Sequence, residues 1–118
     1  MIDKILSEAS RALSSLEAYA LVACYAEEFL FEDASSGHRI MDKGRLLENY
    51  QQLFSSPGVR FSDIEFFSAG DRAAGEWTWS GISSRDGQRF SIKGASIFQI
   101  QEGRIVREVI YYDPRPAL

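Results

Sequence analysis

The sequence predicts an α+β fold in which helices pack on one face of a curved antiparallel sheet. Three observations carry this expectation. Apolar residues recur at helical spacing through about residue 54, with one short extended stretch between. From residue 59 onward the period changes to alternation. Turn signals ("SSPG", "GD", "SRDG" and "QEG") then cut the second half into strands joined as a meander.

Taken in order, residues 2–13 place Ile2, Ile5, Leu6, Ala9, Ala12 and Leu13 on one helical stripe. Ser14 followed by Glu17 fits a capping box, predicting a second helix through about Glu27 that is apolar nearly all round. "FLFED" then reads as a short strand and "ASSGHRIM" as a loop. Asp42 is placed to cap a third helix whose Leu46, Leu47, Tyr50, Leu53 and Phe54 form a stripe. Four strands follow: "VRFSDIEFFSA", "RAAGEWTWSG", "QRFSIKGASIFQI" and "RIVREVIYYD", with "PRP" ending regular structure. Gly94, in the middle of the third of these, is a candidate bulge.

Composition narrows the function classes. A chain of 118 residues suits one domain, 1–118, able to bury roughly two-thirds of its unfolded surface. A net charge of −4, a pI near 5.0 and scattered basic residues give no electrostatic reason to expect nucleic acid. One histidine and one cysteine argue against an N/S metal cluster and exclude an internal disulfide, while carboxylate metal sites stay formally open. The N-terminus has no apolar signal core and no segment is long enough to span a membrane, so a cytoplasmic protein with no membrane partner is expected. There is no Gly-rich phosphate loop and no Gly-x-Ser-x-Gly elbow. No cofactor is implied.

Carboxylates are the remaining chemical currency: Asp33, Glu76 and Glu108, with Ser96, Tyr50 and Tyr112 as hydrogen-bonding partners. Asp33 shares one strand face with Phe29 and Phe31, an odd place for a group costly to bury unpaired. Either it stands at a pocket wall, where burial would raise its pKa and suit it to proton transfer, or it caps the following "SSG" turn. His38 lies in that same loop. Trp77 and Trp79 share a face and are either core and pocket wall or an outward dimer surface. Ile92, Gly94, Ser96, Phe98 and Ile100 form the better core face of their strand. On the last strand, Val106, Glu108, Ile110 and Tyr112 alternate with Ile105, Arg107, Val109 and Tyr111. Both sets are mostly apolar, which predicts that a second subunit covers the face the helices do not.

The order of helices, "YAEEFLFEDASSG" and the terminal "EGRIVREVIYYD" resemble the SnoaL-like branch of the nuclear-transport-factor-two superfamily over essentially the whole chain. The resemblance implies a conical cystatin-like roll with three N-terminal helices packed on a curved antiparallel sheet. Relatives include ketosteroid isomerases, polyketide cyclases and non-catalytic binding domains, so fold alone does not name an activity. In the ketosteroid isomerase relatives a proton-shuttling aspartate ends the first strand, as Asp33 does. Ala9 stands where their oxyanion tyrosine belongs, and Ser96 where their neutral aspartate belongs. Losing one such donor costs about a hundredfold or more, which argues against steroid isomerisation. The Asp–Arg–Asp set of epoxide hydrolase relatives is unmatched, since Glu76 and Thr78 occupy that strand.

Two readings follow. One is an isomerase or cyclase using Asp33 for proton transfer on an apolar substrate. The other is a non-catalytic, dimeric ligand-binding domain. In either, Phe31, His38, Tyr50, Glu76, Trp77, Trp79, Ser96, Phe98, Glu108 and Tyr112 are the expected ligand contacts.

Overall fold

The computed structural model describes residues 2–118. Helix α1 spans Ile2–Ser14 and buries Ile5, Leu6, Ala9 and Ala12, the predicted stripe. Leu16, in the left-handed region at φ 58°, stops it. Helix α2 is only Ala18–Val22. The predicted capping box does not form, because Ser14 still belongs to α1 and the Glu17 side chain instead pairs with Arg11 at 3.1 Å.

Strand β1 covers Tyr25–Asp33 and so takes over the predicted end of the second helix. The physical reason is competition for backbone groups: the Cys24 carbonyl accepts from the Ile105 amide at 2.9 Å, committing this segment to the sheet. A turn follows, and the predicted loop closes into a short strand β2, His38–Ile40, paired with the end of β1. Helix α3, Lys43–Phe54, starts as expected at Asp42, whose side chain accepts from the Gly44 amide.

The remaining strands are β3 (Arg60–Ala69), β4 (Arg72–Ile82), β5 (Arg89–Gln101) and β6 (Arg104–Tyr111), with a final short 3₁₀ turn at Arg115–Ala117. They form one six-stranded sheet in the order β2-β1-β6-β5-β4-β3. All pairings are antiparallel except β1 with β6, which is parallel. A fully antiparallel sheet is therefore corrected at one position.

Gly94 is not a bulge. The β4–β5 ladder runs without a shift from Arg72↔Gln99 to Ile82↔Arg89. Gly94 instead sits opposite Trp77 and leaves room for the indole, whose ring carbons lie 2.2–2.6 Å from where a Cβ would be. The register shifts fall elsewhere, one of them in the β1–β6 pairing between Tyr25 and Leu30. On β3, the pairs Ser62↔Thr78 and Glu65↔Glu76 leave one extra residue, and Asp63 there adopts φ 51°. On β6, Gln99↔Arg107 and Ile100↔Ile105 leave Val106 extra. Each extra residue flips the side-chain alternation, so Phe61 and Phe66 line the same cavity, as do Ile105 and Glu108.

The core lies between the helices and the concave sheet face. Leu46, Tyr50 and Phe98 are buried, while Leu47, Phe54 and Ile110 pack at its margin.

Candidate functional site

The open end of this core holds a cavity of about 180 Å³. Aromatic rings form much of its wall because β1, β3, β4 and β5 each turn a face bearing Phe or Trp toward it. Tyr50 stacks on Phe54 at 5.5 Å, Phe61 meets Trp77 edge-on at 5.9 Å, and Phe66 meets Phe98 at 5.2 Å. Both tryptophans face inward, which resolves the two orientations left open by alternation alone.

Glu108 is the buried charge-bearing group of the cavity, only 7% exposed. Two hydrogen-bonded chains converge on its carboxyl. From one side the Trp77 indole Nε1 donates to Ser96 Oγ at 2.9 Å, and Ser96 Oγ donates to Glu108 Oε2 at 2.8 Å. From the other side Tyr25 donates to Glu108 Oε1. Tyr25 spends its one proton there, so Tyr50 donates to the Tyr25 oxygen across 2.9 Å. Every member is satisfied, and each carboxyl oxygen keeps a lone-pair site. Burial pushes the Glu108 carboxyl above the ordinary carboxylate value, although the bonds from Tyr25 and Ser96 pull the other way. Burial likewise raises both tyrosines well above their usual value, so they remain donors.

Asp33 stands at the rim, where it both caps the turn and lines the cavity. Its Oδ1 accepts from the Ser35 amide at 2.9 Å and Ser35 Oγ at 2.6 Å, capping the turn. Its Oδ2 accepts from Tyr112 at 2.6 Å, and the residue lines the cavity. Tyr112 is pushed up to about 12, by burial first and by its bond to Asp33 second.

Of the expected contacts, Phe31, Tyr50, Trp77, Trp79, Phe98, Glu108 and Tyr112 line the cavity, and His38 reaches its rim from β2. Ser96 is buried just behind the wall and acts through Glu108 and Trp77. Glu76 is a correction: it lies on the opposite sheet face, exposed, with its carboxylate 3.3 Å from Lys93 Nζ. Strand alternation dictates this, since Glu76 must point away from the face that Trp77 occupies.

Sequence reasoning missed Tyr25, assigned to a helix, and with it the inner half of the network. The signal was present: Tyr25, Phe29, Phe31 and Asp33 share one parity. It also missed Phe61, Phe66 and Ile105, whose positions depend on the extra residues of β3 and β6.

The fold has many solved counterparts. A Catenulispora acidiphila protein with a ketosteroid isomerase-like fold, solved in complex with trimethylamine, superposes with a TM-score of 0.84 at 16% identity, covering 100% of this chain and 92% of that one. An NTF2-like protein from Burkholderia thailandensis gives 0.84 at 19% identity, covering 96% and 91%. A candidate polyketide cyclase from Pseudomonas putida gives 0.80 at 23% identity, covering 95% and 91%. These likenesses establish the fold. No curated protein matches the chain in sequence. The SnoaL-like domain family, by contrast, matches residues 7–108, and the chain belongs to that family.

Proposed function

We propose that the cavity binds a mainly apolar small molecule and that Glu108 accepts a proton from a carbon acid in it, as isomerisation or cyclisation requires. The observation that carries this reading is a buried carboxyl at the cavity wall, oriented by two donated hydrogen bonds. Burial strengthens it as a base, and the Tyr25 and Ser96 donors hold it in one geometry while it changes charge. Asp33, committed to Ser35 and Tyr112, takes the orienting role, and the proton-accepting role expected of it passes to Glu108.

The test is ring opening of 5-nitrobenzisoxazole, a neutral apolar carbon acid. A positioned carboxylate removes its ring C–H proton, the N–O bond breaks, and a coloured cyanophenolate forms. Saturable turnover should rise with pH through the raised Glu108 pKa and fall about a hundredfold or more in Glu108→Gln. Unchanged turnover in that variant would defeat the assignment. Saturable binding without turnover would favour the non-catalytic binding domain, which Ala9 and Ser96 support by standing in place of both strong oxyanion donors, the Ser96 hydroxyl being committed to Glu108.

The assembly we infer is a homodimer through the outer sheet face. Phe67, Ala74 and Ile97 form a cross-strand row there that ends at Val109, itself already buried, and Phe67 is 67% exposed in the single subunit.

A further inference from the structure

We infer that the occupant of this cavity is an organic cation, with a tertiary or quaternary ammonium group seated where Trp77, Trp79 and Tyr112 meet beside Asp33. The inference rests on the reading of the cavity as a small-molecule site and adds the chemical class of its ligand.

Two independent observations support it. The first is charge. The cavity is lined by two carboxyl groups, Asp33 and Glu108, and by no lysine or arginine. Neither carboxyl is ion-paired among the described residues. Their partners are neutral donors: Ser35 and Tyr112 for Asp33, Tyr25 and Ser96 for Glu108. His38 is the one nearby group able to become cationic, and it sits exposed at the rim. The Asp33 carboxylate, at the mouth of an apolar enclosure and without a cationic partner, is left for a ligand to compensate, and a cation in the cavity would favour the ionised form of Glu108 as well.

The second observation is the form of the wall. The Tyr112 ring lies 6.0 Å from Trp77 and 6.0 Å from Trp79, with the Trp79 contact edge-on. The three rings meet at one corner, and the Tyr112 hydroxyl places Asp33 Oδ2 2.6 Å away. Aromatic faces attract a cation through their quadrupole, best when the cation is already poorly hydrated. An inorganic cation is a poor match, because no group of three or more potential ligands occurs among the described residues. A primary ammonium would lose strong hydration here with few acceptors to replace it. An alkylated ammonium presents methyl groups that pack on the rings and a diffuse charge that the carboxylates balance.

Choline and its neutral isostere 3,3-dimethylbutan-1-ol test this directly. Both tryptophans of the chain line the cavity, so indole N–H resonances and intrinsic fluorescence report occupancy. Choline should bind at least about fivefold more tightly than the alcohol. Asp33→Asn should weaken choline severalfold and leave the alcohol unchanged. Equal or tighter binding of the alcohol, or an equal loss for both probes in Asp33→Asn, would overturn the cation inference while leaving an apolar small-molecule cavity intact. Binding of neither probe would also overturn it, and the benzisoxazole measurement then decides the parent reading separately.

Discussion

Glu108 combines burial with two donated hydrogen bonds, and its effect on stability has a definite sign. Its folded pKa lies above the ordinary value of 4.5, so the native state holds more protons than the unfolded state once the pH passes that value. Stability from this group is therefore full below about 4.5 and is lost as the pH rises through the folded pKa. Glu108→Gln cannot ionise and should flatten that decline. In urea unfolding at stepped pH, the variant should gain on wild type from pH 4.5 upward. A variant that loses stability relative to wild type as pH rises would show that the buried charge is net stabilising. Tyr25 and Ser96 can each satisfy a glutamine by rotating their hydroxyls, so the expected cost at low pH is small.

The strands explain how these residues come to one place. A strand with strict alternation turns only every second residue to the cavity. The extra residues at Asp63 and Val106 break that rule once on β3 and once on β6, adding Phe61 and Ile105 to the faces that already carry Phe66 and Glu108. The long β4–β5 ladder has no such break, and its critical position is Gly94 beneath the Trp77 ring. Gly94→Ala should displace that ring, break its bond to Ser96 and destabilise by about 1–3 kcal/mol, the usual cost of overpacking. Denaturant unfolding together with the shift of the Trp77 indole N–H measures both effects. An unchanged resonance with unchanged stability would contradict the close packing.

At the scale of the whole molecule, the helices cover only the concave face of the sheet. The outer face carries the row from Phe67 to Val109, with Ala95 opposite Tyr111 in the next row. A second copy on this face should bury more than about 1,000 Å² in total, the size of a stable biological contact. Phe67→Lys places a charge at a position exposed in the single subunit, so it should weaken association with little cost to folding. Sedimentation should show wild type as a dimer at micromolar concentration and the variant shifted toward monomer. A monomeric wild type would end this proposal.

What the sequence determined by itself is what local periodicity encodes. It specified the α1 stripe, the Asp42 cap, the four long strands, and the inward set Ser96, Phe98 and Ile100. From these the fold class and the family were legible. Tertiary structure decided the rest, because the deciding interactions join residues far apart in the chain. Residues 25–27 became strand because β6 offered backbone partners at the start of β1, a competition that a helical apolar pattern does not register. Glu108 became the buried carboxyl because Tyr25, 83 positions away, and Ser96 close around it. Alternation shows which residues share a face, but it carries no mark of a single extra residue that reverses it. A bulge is stabilised by its neighbours across the sheet, and so the contents of the cavity were settled only when the strands paired.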